Sequence, residues 1–141
     1  MNIRIFFPVV FFIITGTYTL SGQEYAVPLE TGNLQLSSSF GKLRNTRFHA
    51  GVDFRTGGVE GVKLYATKAG HIYRICVKPY GYGKGIYIAH NDGTISVYGH
   101  LRDFTPDVAE YVKKERYRKE SGSIDIFPSP AQFPVSKGQL V

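Results

Sequence analysis

With one cysteine in the whole chain, Cys76 has no partner, and an intramolecular disulfide is excluded. Its place between Ile75 and Val77, alternating with Ile72 and Arg74, predicts a half-buried thiol on a strand. Nothing beside it suggests the partnered, activated thiolate that a cysteine nucleophile needs. The chain also has no apolar run of the roughly 20 residues needed to span a bilayer. The longest such stretch, Ile5 to Ile14, is broken by Pro8 and preceded by Arg4. A basic residue, a short apolar centre and small residues near Ser21-Gly22 predict a secretory signal peptide over residues 1–22. The expected location is therefore outside the cytoplasm, in the periplasm or cell envelope, with membrane contact only through that segment. Internal repeats, low-complexity segments and groove-reading motifs are all absent, and with export this argues against a nucleic-acid partner.

Acidic residues are in short supply: 17 lysines and arginines against 11 aspartates and glutamates give a net charge of +6. A surplus of this sign favours an anionic partner such as an acidic wall polymer. Residues 23–141 suffice for one domain with one core. Leu34 and Leu36 alternate with polar residues as in a short strand, and Ser37-Ser38-Ser39 then loosens the chain. Gly41 to Arg47 is a polar, basic loop. A turn at Ala69-Gly70 leads into a strand from His71 to Val77, and Pro79 to Gly85 is a Gly-rich surface connection. Ile86 to His90 and Thr94 to His100, joined by Asn91-Asp92-Gly93, give the clearest β-hairpin signal. Short strands between Gly-containing turns, with no helix before residue 105, predict an all-β, mainly antiparallel domain.

One helix is expected near 106–120. Thr105 stands at the N-cap, Pro106 at the first position and Asp107 in the first turn; Val108, Tyr111 and Val112 form the apolar stripe, and Ser121-Gly122 the stop. Lys113, Lys114, Arg116, Arg118 and Lys119 read as a solvated face that complements the helix dipole. Pro128, Pro130 and Pro134 then space an extended linker with Phe127 and Phe133 tucked between them.

The chemistry concentrates in Phe48-His49-Ala50-Gly51-Val52-Asp53-Phe54. Imidazole and carboxylate together are ordinary zinc ligands, although a catalytic zinc wants three protein ligands and an open position. Gly51, Val52, Phe54 and the Thr56-Gly57-Gly58 that follows argue against a helix here. On a regular strand the two α-carbons would lie roughly 13 Å apart, too far for one ion. A bend or bulge at Ala50-Gly51 is therefore predicted. From these residues alone, a loop histidine and a turn aspartate with no metal remain an open alternative.

Taken together, the blocks resemble the lysostaphin-type (LytM-like) zinc endopeptidases that cut the peptide stems or cross-bridges of bacterial peptidoglycan. The likeness rests on Phe48-His49-Ala50-Gly51-Val52-Asp53, Val62 to Ala66, Ala69-Gly70-His71-Ile72, Gly81-Tyr82-Gly83, Ile86 to Gly93, Tyr98-Gly99-His100-Leu101 and Val135 to Val141. It implies a zinc site with His49 and Asp53 as ligands. It implies that His100 is a catalytic imidazole near the metal, taking a proton from the attacking water or steadying the oxyanion. His90 is read as structural and His71 as a surface residue. The family's third ligand lies in a His-x-His block just downstream of the Gly138-Gln139 segment, past Val141, so the domain is expected to be incomplete at its C-terminus and inactive as it stands. A helix-and-proline insertion over about 103–133 departs from many members. A catalytically inactive wall-binding or activator domain of the same fold is the alternative; His49, Asp53 and His100 together speak against it.

Overall fold

The computed structural model of the chain describes residues 25–30 and 34–141, so the expected signal peptide lies outside the described residues. The architecture is mainly antiparallel β with one helix, as the sequence predicts. In chain order the elements are β1 (Leu36–Ser38), β2 (Asp53–Phe54), β3 (Gly70–Val77), β4 (Lys84–His90), β5 (Ile95–Tyr98), α1 (Pro106–Arg118), β6 (Ile124–Ile126) and β7 (Pro134–Val135). The larger sheet runs β5-β4-β3-β6, with β7 also paired to β3, and β1 and β2 form a separate two-stranded sheet.

β3 and β4 make the centre. In β4, Ile86, Ile88 and His90 alternate inward, as expected for a strand with one face in the core. In β3 the pairing slips between Ile72 and Arg74. That bulge around Tyr73 lets Ile72 and Ile75, an odd spacing apart, both join the core. It also separates Cys76 from Ile72. Cys76 is buried but outside the core cluster, and burial pushes its thiol pKa up. It is thus more buried than the sequence predicts, and equally unsuited to nucleophilic chemistry. The hydrogen-bonded approach of β4 leaves no room at Gly70: a Cβ there would lie 2.0 Å from the Ala89 carbonyl oxygen.

α1 lays Val108 and Val112, one turn apart, onto the same core, with Tyr111 edge-on to Phe133. The five basic residues from Lys113 to Lys119 face solvent, Lys114 and Arg118 pairing with Glu110 and Glu115. Thr105 occupies the N-cap without making a side-chain capping bond. The helix ends earlier than Gly122. The amide of Ser121 donates to Arg116 and that of Glu120 to Tyr117, which puts Glu120 at φ 46°. This is the usual place of a C-terminal glycine. Glu120→Gly should therefore raise stability by about 0.5–1 kcal/mol in urea denaturation, relief of left-handed strain outweighing the entropy glycine adds to the unfolded chain.

Two strands differ from expectation. Ile124-Asp125-Ile126, inside the expected insertion, adds β6 to β3 with both isoleucines buried. Pro134, read as the last proline of the linker, instead opens β7 with Val135 and pairs with Gly70-His71. Phe133 is tucked in as predicted, whereas Phe127 is exposed and meets Tyr73 edge-on. On the outer face Asp125 accepts two hydrogen bonds from Arg74, each 2.6 Å, and one from Lys78 at 2.7 Å. The Arg74 guanidinium also sits 4.7 Å from the Tyr87 ring centre.

Those bonds, Arg74's foremost, hold the Asp125 carboxyl well below the usual carboxylate range. A depressed folded-state pKa contributes stability above the unfolded value, near 3.9, and loses it as pH falls toward the folded value. Thermal melts from pH 7 to pH 2.5 should show a drop below about pH 4, and Asp125→Asn should be less stable at neutral pH with a shallower acid drop.

Candidate metal centre

β2 is too short to include His49, which corrects the expectation of a strand running through it. His49 lies in the segment before β2, the backbone bends at Gly51, and Asp53 opens the strand. A register shift on β1 between Leu36 and Ser38, opposite Asp53, provides the bulge on the neighbouring strand instead. The bend brings the two side chains together, with His49 Nε2 3.1 Å from Asp53 Oδ1.

The surroundings fix which atoms face each other. His49 Nδ1 is 3.0 Å from the Ser39 carbonyl oxygen and 3.2 Å from Ser38 Oγ. A carbonyl can only accept, so Nδ1 carries the proton in that bond and Nε2 is left to face Asp53. Two electron-rich atoms at that distance call for a cation between them, a proton or a metal ion. A backbone carbonyl behind a histidine's other nitrogen is the usual way a metal-binding imidazole is aimed. Asp53 Oδ2, meanwhile, accepts from Arg44 at 2.5 Å. Its two oxygens therefore have separate partners. A tetrahedral zinc would hold an imidazole nitrogen and a carboxylate oxygen roughly 3.3 Å apart, close to the observed spacing. Gly51 lies beside the pair, where a Cβ would stand 3.9 Å from Nε2, an ordinary contact distance. The pair fits a metal ion as two ligands. Among the described residues no group of three histidine, cysteine, aspartate or glutamate side chains could hold one.

His100 is therefore not a third ligand in this geometry. It follows β5 at φ 57°, exposed. Its amide donates to the Tyr82 carbonyl at 2.8 Å, and the Tyr82 ring lies edge-on to the imidazole at 6.2 Å. Tyr82 also presses on Gly99, where a Cβ would come within 2.6 Å of its ring. The Gly-rich connection is thus a support for His100 as well as a surface loop. His90 is buried between the Ala69 carbonyl and Ser96 Oγ, each 2.9 Å away, in keeping with a structural role. His71 is half-buried on β3.

Sequence reasoning missed three supports. Ser39 contributes a backbone atom, which leaves no mark in a sequence. Arg44 stood in a loop flagged only as basic. Tyr82 lay between two glycines, a pattern noted for the family likeness but not for its contact with His100.

Residues 47–117, half of the chain, match the model of Peptidase family M23. The chain belongs to peptidase family M23. His49, Asp53 and His100 all fall inside the matched span, and so does most of α1, which the sequence alone sets apart as an insertion. No curated protein and no solved structure matches the chain. Membership makes it a peptidase by family, and hence a hydrolase. Among the described residues no helix is long and apolar enough to cross a membrane.

Proposed function

We propose that this chain is the zinc-binding part of an exported M23 endopeptidase domain that cuts peptide stems or cross-bridges of bacterial peptidoglycan. The observation that carries the reading is the approach of His49 Nε2 to Asp53 Oδ1, with Nδ1 turned away toward Ser39. His49 and Asp53 would hold the metal, and zinc there supplies Lewis acidity that polarises a peptide carbonyl and acidifies a water. Ser39 keeps the imidazole in the tautomer that presents Nε2. Arg44 holds the second carboxylate oxygen and so orients the first. His100, presented to solvent at the end of the hairpin, accepts a proton from the attacking water or donates to the oxyanion. Two protein ligands are one fewer than catalytic zinc sites use, and the third is expected from the family's His-x-His block beyond Gly138-Gln139. With two ligands among the described residues, zinc should be held weakly.

A second reading, a wall-binding or activator domain without catalysis, is favoured by the two-ligand count among the described residues. X-ray absorption at the zinc edge separates them. The endopeptidase reading expects zinc on the chain with one imidazole and one carboxylate in its shell. No zinc uptake, with peptidoglycan binding retained, would favour the inactive domain.

A further inference from the structure

We propose that the basic loop beside the His49–Asp53 pair is a subsite for a free carboxylate, with Lys42 and Arg47 gripping an acidic peptide laid across the pair. This deepens the peptidase reading and rests on it. The loop closes as a small hairpin. Leu43 and Phe48 are bridge partners, the His49 amide donates to Lys42 at 2.9 Å, and the Arg44 amide donates to Arg47 at 2.9 Å. Its strands and tip border an open cavity of about 680 Å³ lined by Ser38, Lys42, Arg44, Asn45, Thr46 and Arg47. Three of those six are cations and none is acidic.

Two of the lining residues belong to the metal pair's own surroundings, Ser38 touching His49 and Arg44 touching Asp53. Anything in the cavity is therefore adjacent to the pair. Arg44 is already neutralised by Asp53, while Lys42 and Arg47 have no acidic partner among the described residues. Two unspent cations pinned on one hairpin suit an anion that arrives from outside. Leu43 and Phe48, 73% and 69% exposed, flank them with apolar surface. A peptide, with apolar side chains between its carboxylates, uses both kinds of contact; a phosphate polymer uses only the cations. The subsite thus favours a stem peptide with free carboxylates over a neutral glycine bridge.

The test measures binding, not cleavage. A fluorescein-labelled tetrapeptide of alanine, glutamate, lysine and alanine with free carboxylates is compared by anisotropy with its glutamine, C-terminal amide counterpart. The charged peptide should bind about five- to tenfold more tightly at low salt, and the preference should shrink toward unity with Lys42→Gln and Arg47→Gln combined. Both positions are exposed, and circular dichroism checks that the variant is folded. Equal binding of the two peptides, a preference that survives the double substitution, or tighter capture of short polyphosphate would each overturn the subsite. A zinc titration of the same protein keeps the two readings apart. Zinc uptake without a carboxylate preference removes the subsite alone. A carboxylate preference without zinc uptake removes the metal reading and leaves the subsite standing.

Discussion

Replacing His49 with alanine is expected to abolish zinc uptake by this chain, while replacing His90 with alanine should leave uptake intact and cost stability. The contrast follows from what each imidazole touches. His49 offers Nε2 to the side of Asp53 and anchors Nδ1 on a backbone carbonyl, so the substitution removes a ligand outright. Losing an outer support of a metal ligand costs about 10–100-fold in affinity, and losing the ligand itself should exceed that. His90 instead spends both nitrogens inside the fold, on Ala69 and Ser96. His90→Ala removes a buried side chain together with its bonds to the Ala69 carbonyl and Ser96 Oγ, a loss of about 1–3 kcal/mol. Competition with a chelating dye reads the first quantity and urea denaturation the second. Zinc uptake indifferent to His49→Ala would end the metal reading, whatever the peptide-binding outcome.

Those two histidines also mark how far the sequence could be read. The bend at Ala50-Gly51 followed from the glycine and from the demand that His49 and Asp53 reach one ion, whereas the residues alone left a loop histidine and a turn aspartate equally open. The hairpin of β4 and β5 was legible because its strands alternate cleanly around a Gly-containing turn, and α1 because proline, an acid and an apolar stripe agree. What escaped was long-range or carried by the backbone. β6 is three residues between a glycine and a proline, too short to show a period, and it forms because β3 offers an edge and Arg74 a partner for Asp125. β7 begins on a proline, which an edge pairing of two residues tolerates. The bulge at Tyr73 shifts the phase of β3 midway, so the alternation of Ile72, Arg74 and Cys76 seen in the sequence does not keep them on one face. The Arg44–Asp53 contact spans nine residues and exists only once the small hairpin has closed.

Ile75→Ala should be the most damaging single truncation in the sheet, lowering stability by about 2–5 kcal/mol. β3 is the strand to which β4, β6 and β7 all attach, and Ile75 sits where two of those pairings meet, opposite Ile86 on one side and Ile126 on the other. All three isoleucines are buried, Ile75 and Ile86 completely. Strands hydrogen-bonded on both sides cannot move inward to fill the space of a lost side chain, so the cavity term adds to the lost burial. For a domain whose whole stability is about 5–15 kcal/mol, that is a large share. Tyr73→Ala makes the comparison strand-matched. Tyr73 lies two residues away at the bulge, 40% exposed and edge-on to Phe127, and its loss should cost no more than about 1.5 kcal/mol. Urea midpoints with unchanged slopes measure both. Equal losses at the two positions would mean that the packed face of β3 is not the one containing Ile72 and Ile75. The seating of β6 and α1 on that face would then be wrong as well.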